Sequence, residues 1–405
     1  MKSVPGWSSE GGALRQWTIP LVLIAALALP GIIRASCRAA RALLSQGHPH
    51  EALQSYEACV ARSPRASDLL ALGTLYLRQG NDGKAIHAYR EAIALNPHNA
   101  RAYLDLGVAL IKAQRYAEAV SELGRAILVQ PHSSREHQLL AMCLFHLKEY
   151  ELAAIEAQAA QALSPSDAAS NFILGSSYLN LGFYRRAVPP LKQALAATGS
   201  AEIRVVLGEA YLGLGESRFA LHQFVIAAKL NPQIPGLNSY IAGAYQHLGK
   251  PRMARAYYQR ALTLDPNDSA ANAYFARWSR LRGHYNRAAR YLSHAERVAP
   301  NDPRVLLEAA QMALHDRNPV EAERLLKKAL NVSPGDIEAR VLLAQLYYRR
   351  GQLALAQKEQ AMVQALQRAQ ERRLAFTKPT SINTPRGKTR GIRSRAPGGG
   401  APHSP

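Results

Sequence analysis

Residues 69–97 read LLALGTLYLRQGNDGKAIHAYREAIALNP. Leu72, Gly73 and Tyr76 stand at i, i+1 and i+4, the stripe of an amphipathic helix, and Gly80 stops that helix because glycine takes the left-handed cap without a Cβ clash. Ala85, Tyr89 and Ala92 then share one face of a second helix, since seven residues make two helical turns. Pro97 ends it by forcing its predecessor out of the helical region. The stretch is a helical hairpin whose members cross at small side chains.

The same unit recurs along the chain. An alanine returns at Ala52, Ala85, Ala119, Ala153, Ala187, Ala220, Ala254, Ala288, Ala322 and Ala356, always 33 or 34 residues apart. Ten units therefore fill residues 37–374. Seven residues after each alanine stand Cys59, Ala92, Ala126, Ala160, Ala194, Ala227, Ala261, Ala295, Ala329 and Val363. Glycine follows the first-helix leucine at Gly73, Gly107, Gly175 and Gly208, and an aromatic or aliphatic follows the alanine by four at Tyr56, Tyr89, Leu123, Leu191, Phe224, Tyr258, Leu292 and Leu326. Second helices end at Pro64, Pro97, Pro131, Pro165, Pro232, Pro266, Pro300 and Pro334, with Gly199 breaking the series. Two residues later Asn99, Ser133, Asp167, Asp268, Asp302 and Asp336 offer N-caps for the next start. The fold class is all-α.

Ten in-phase copies of Leu-Gly, Tyr, Gly, Ala, aromatic, Ala and Pro resemble the tetratricopeptide repeat family over residues 34–374. The resemblance implies a right-handed superhelical solenoid of antiparallel helix pairs, with a concave groove on the first helices that binds peptides or proteins. Carried onto this sequence, the groove positions include Leu70, Thr74 and Leu77; Leu104, Val108 and Ile111; Phe172, Ser176 and Leu179; Val205, Glu209 and Leu212; and farther on Arg277 and Arg280. The expected groove is apolar in its first half and polar and basic in its second. A chaperone-type carboxylate clamp is missing, because its Lys and Asn positions hold Leu70 with Thr74 and Leu104 with Val108. The asparagine ladder of sugar-nucleotide transferases is missing too, since that series reads Ala71, Asp105, Leu139, Ile173, Val206 and Tyr240.

The two ends differ from the middle. Residues 1–16 are polar, and residues 17–33 carry no charge between Arg15 and Arg34, which predicts a single-pass membrane anchor or, alternatively, a signal peptide cleaved on export. As an anchor it would tether the repeats at a membrane. Residues 375–405 hold six basic residues, no acidic one and little to bury, so they read as a disordered basic tail.

Composition narrows the function. Three cysteines, Cys37, Cys59 and Cys143, make no disulfide framework and, with thirteen scattered histidines, no zinc site, so neither metal nor cofactor is expected. Cys59 and Cys143 read as core. Carboxylates such as Glu118, Glu122, Glu321 and Glu323 sit beside Arg125 and Arg324 at helical spacing, which predicts ion pairs rather than a catalytic dyad. The glycines recur singly at helix ends and form no phosphate loop, so an enzyme is not expected. The net charge of +21 concentrates toward the C-terminal half, and residues 250–297 hold ten basic side chains against three acidic ones. The leading expectation is a non-catalytic scaffold binding an apolar or amphipathic segment with an acidic part. The alternative is a binder of nucleic acid or acidic lipid through residues 250–297 and the tail, although apolar groove positions offer phosphates nothing.

Overall fold

The computed structural model describes residues 29–377, with side chains from 37 to 369. Twenty helices and no strand occur among the described residues. The chain divides into two compact units, Met1–Ala261 and Leu262–Pro405.

In the N-terminal unit the helices come as antiparallel pairs. Leu29–Ser45 pairs with Pro49–Arg62, Ala66–Arg78 with Asp82–Leu95, Ala100–Lys112 with Tyr116–Val129, and Ser134–His146 with Tyr150–Leu163. Ala168–Asn180 with Tyr184–Thr198 and Ala201–Gly213 with Ser217–Leu230 continue the series. Leu237–His247 then meets Pro251–Leu264 through the stacked rings of Tyr245 and Tyr257, 5.5 Å apart. The C-terminal unit holds three more pairs: Ser269–Leu281 with Tyr285–Val298, Pro303–His315 with Pro319–Val332, and Ile337–Arg349 with Leu353–Thr377. Within the N-terminal unit the second helices from Pro49–Arg62 to Ser217–Leu230 also pack on the next pair's first helix, and within the C-terminal unit Tyr285–Val298 and Pro319–Val332 do the same.

The alanine column lies at the helix crossings. Ala52, Ala85, Ala119, Ala153, Ala187, Ala220, Ala288 and Ala322 are all fully buried. The glycine of the Leu-Gly step is explained by what faces it. A Cβ added to Gly73 would lie 2.6 Å from the Tyr89 ring and one on Gly107 would lie 2.7 Å from Leu123, while on Gly208 it would strike the Phe224 ring. Each first-helix glycine thus makes room for the large side chain four residues past the alanine.

Five of the six expected N-caps form. Asn99, Asp167, Asp268, Asp302 and Asp336 each accept a hydrogen bond from a backbone N–H of the first turn, whereas Ser133 makes no such bond. Glycine is not required at the turn inside each pair: Gln114, Lys148 and Arg317 adopt it with φ of +59°, +64° and +56°.

Other expectations are corrected. No helix among the described residues is long and apolar enough to cross a membrane, which overturns the membrane localisation read from residues 17–33. Residues 29–33 instead open the helix Leu29–Ser45, which continues through Arg34, Arg38 and Arg41. Pro30 falls in its first turn, where the missing N–H costs no helical hydrogen bond. Residues 1–28 lie outside the described residues, and so does the tail from 378 onward; residues 375–377 extend the last helix. Cys59 is not simply a core residue, because a disulfide joins it to Cys37 across the first pair, with Cα atoms 5.7 Å apart. Cys143 is buried and free, and burial pushes its thiol up to about 12.

Candidate binding groove

The first helices of the N-terminal unit hold the expected groove residues at varied depth. Leu70, Leu77, Leu104 and Ile111 are half-buried against a core that includes Leu72, Leu106 and Leu110. Thr74 donates its hydroxyl to the Leu70 carbonyl at 2.9 Å and lies 3.2 Å from the Tyr89 hydroxyl. Val108 is half-buried, Ser176 and Val205 are buried, and Phe172, Leu179 and Leu212 are half-buried against the core around Leu207 and Phe224. The apolar groove positions therefore lend part of their surface to the core, and none is among the exposed large hydrophobic side chains.

The exposed large apolar side chains sit elsewhere. Leu95, Val129, Leu163 and Leu230 in the N-terminal unit stand ten residues after the column alanine, in the last turn of four second helices. Leu128, 82% exposed, and Ile155, 60% exposed, fall outside every repeat column. They were readable as leftovers of the repeat pattern.

Glu209 is half-buried on helix Ala201–Gly213. Burial pushes its carboxyl above the ordinary range, and a hydrogen bond from Tyr240 opposes that shift. It belongs to none of the ion pairs of the described residues, which engage other carboxylates of this unit: Asp68 with Arg41 at 2.6 Å, Asp82 with Lys112 at 3.4 Å, Asp105 with Arg101 at 3.5 Å and Glu156 with His137 at 2.7 Å.

In the C-terminal unit Arg277 and Arg280 already have acidic partners. Arg280 Nε lies 2.9 Å from Oε2 of the buried Glu308, and Arg277 Nη1 lies 3.0 Å from Glu338 and 3.7 Å from Glu308. Gln311 donates to the other Glu338 oxygen at 3.2 Å. Burial holds the Glu308 carboxyl above its ordinary value against both arginines. Sequence reasoning saw the arginines and missed their partners, because the pairing runs between rungs some thirty or sixty residues apart. Of the remaining basic run, Arg282 stacks on Trp278 at 4.3 Å, while Arg287 and Arg290 line a 370 Å³ cavity with Leu262, Pro266, Asn272, Tyr291 and His294.

One group of metal-ligating type converges among the described residues, namely Cys37, Cys59 and Asp68. As a disulfide the two sulfurs are not thiolate ligands, and Asp68 is bound to Arg41. The expected helix-surface ion pairs are present, with Arg125 to Glu122 at 3.5 Å and Arg324 to Glu321 at 2.5 Å.

Three family models, all described as tetratricopeptide repeat, match this chain. One covers residues 37–81, 70–136, 174–217 and 282–337, a second 313–375 and a third 236–268. No curated protein matches. Among solved structures, PilF of Pseudomonas aeruginosa is similar at 21% identity over 52% of this chain and 97% of its own, with a TM-score of 0.43. YrrB, described as a TPR protein with an unusual peptide-binding site, is similar at 18% identity over 45% and 95%, with a TM-score of 0.42. MamA from Desulfovibrio magneticus RS-1 is similar at 18% identity over 41% and 95%, with a TM-score of 0.40. At these scores the likenesses bear on no partner or site of this chain.

Proposed function

Because the chain belongs to the tetratricopeptide repeat family, we propose that it is a non-catalytic scaffold that binds another protein along the first helices of its N-terminal unit. The observation that carries this reading is the row of half-buried apolar side chains at Leu104, Val108, Leu179 and Leu212, which the alanine and glycine columns do not need for helix crossing. Such a row suits an apolar or amphipathic segment. An acidic portion of that segment would have to compete with Glu308 and Glu338 for Arg277 and Arg280, so the apolar contact is the stronger part of the proposal.

The test uses the full chain as bait for protein partners, identified by mass spectrometry, beside the double variant Val108→Asp with Leu179→Asp. Partners lost by the variant at unchanged melting temperature support the groove. Partners retained by a folded variant move the site elsewhere, and a variant that fails to fold shows that these residues serve the core.

A second reading, an anionic partner, is favoured by Arg287 and Arg290, which share a cavity and make no ion pair among the described residues. Binding of a single-stranded oligonucleotide or of anionic vesicles that weakens steeply with salt, and is lost in Arg287→Glu with Arg290→Glu, would support it.

A further inference from the structure

Successive first helices of the N-terminal unit carry Ser176, Glu209 and Gly243 at the same place, eleven residues before Ala187, Ala220 and Ala254. The three helices, Ala168–Asn180, Ala201–Gly213 and Leu237–His247, touch in order, so these positions are neighbouring rungs. Ser176 is 4% exposed and its Oγ has no hydrogen-bond partner. Gly243 has no side chain, and a Cβ built there would meet only the Tyr258 hydroxyl, at 3.9 Å. Gly243 thus leaves open space on the rung after Glu209, and the rung before it holds the buried, unpartnered Ser176 hydroxyl. Three residues on, toward the C-terminal ends of the first two helices, stand the half-buried Leu179 and Leu212.

The carboxylate has no internal cation. Arg204, five residues earlier on the same helix, gives its Nη1 to Gln223 at 3.3 Å instead. Arg186 lies over the rings of Tyr178 and Phe183, at 5.0 and 6.0 Å. A half-buried carboxylate held only by neutral donors has lost part of its hydration without gaining a counter-charge, which is the condition under which an arriving cation gains most.

We propose that the recess formed by Ser176, Glu209 and Gly243 is a specificity site that seats a lysine or arginine side chain of a bound peptide, with apolar peptide residues against Leu179 and Leu212. This rests on the scaffold reading above and refines it. The partner is an apolar segment interrupted by a basic residue, and the acidic portion expected from Arg277 and Arg280 belongs to a part of the protein whose charges are already paired. Charge complementarity chooses the occupant: a neutral segment would leave Glu209 buried deeper and unpaired, and an acidic one would place like charges together.

The test is a selection from a random displayed-peptide library against the full chain. Peptides of about twelve residues suffice, since an extended chain at about 3.3 Å per residue then spans roughly 40 Å, or four helices spaced at about 10 Å. Parallel selections use Glu209→Gln and Gly243→Leu, the second filling the recess from the neighbouring rung without touching the carboxylate. Both variants are checked by circular dichroism melting. The expected result is enrichment of apolar peptides carrying Lys or Arg by the parent, with the basic preference lost in both variants. A selected peptide should bind the parent about tenfold more tightly than its norleucine analogue, and Glu209→Gln should bind the two alike. Apolar peptides enriched with no basic preference, or a preference unchanged in Glu209→Gln, would overturn the recess and leave the groove standing. No enrichment of any peptide by the parent would overturn both.

Discussion

Gln114, Lys148 and Arg317 hold backbone that costs a residue with a Cβ roughly 1–2 kcal/mol, at the place where other units have glycine. Each should therefore stabilise the chain when replaced by glycine, by about 1 kcal/mol after the extra freedom of the unfolded glycine is discounted, read as a higher urea midpoint. Gly208→Ala should do the opposite. Its added methyl meets the fully buried Phe224 ring, and overpacking of this kind costs roughly 1–3 kcal/mol. The two glycine columns are alike in the sequence and unlike in cause: one is set by a torsion that three other residues tolerate, the other by space, where other units place nothing larger than the buried Ala141, Ala242, Ala276, Ala310 and Ala344. That difference is why the first column has gaps filled by polar residues without loss of the turn.

At the scale of elements, helix starts and crossings were legible because each depends on residues a few positions apart. Asp167 and Asp268 cap their own helices, and the structure adds a detail of the same local kind. Asn171 and Asn272 each donate Nδ2 twice, to the carbonyl of the preceding proline and to that of the cap residue. Contacts between rungs were not legible, since nothing near Arg280 in sequence points to Glu308. The ion pairs of the C-terminal unit have a pH signature. The Lys327 hydrogen bond, outweighing burial and helped by Tyr347 and Arg350, holds the Glu323 carboxyl below its ordinary value. The stability it contributes is complete above the ordinary carboxylate range and is lost as pH falls through the depressed one. Glu323→Gln should flatten the fall of melting temperature with acid on that side and leave the neutral plateau lower. An unchanged acid slope would remove Glu323 from the account.

On the whole-molecule scale, periodicity revealed ten hairpins, and the buried alanines show why: a helix crossing needs a small residue at every rung, so the constraint repeats with the fold. How deeply each groove position sinks was hidden, because depth is set by how successive pairs lean on one another and not by the period. Val205 and Leu104 occupy equivalent places in the sequence, yet one is buried and the other half-buried. The apolar run at residues 17–33 misled for a related reason. Hydropathy alone does not show that residues 29–33 belong to a helix whose later turns carry Arg34, Arg38 and Arg41. A fragment of residues 29–377 contains every described helix and should be fully helical by circular dichroism; loss of that signal would mean that the repeats lean on residues beyond it.

The Cys37–Cys59 bond turns the first hairpin into a closed ring. Pulled from its two ends, the chain transmits tension through the sulfurs, and the residues between them never come under load. With a separation of 22 residues at about 3.6 Å each, reduction should lengthen the fully stretched molecule by roughly 70 Å. Single-molecule force extension, with and without dithiothreitol, reads that difference directly. Equal lengths would mean that the ring is open in solution. With the ring closed, the turn between Leu29–Ser45 and Pro49–Arg62 stays slack under force, and beyond the ring the next hairpin to bear load begins with Ala66.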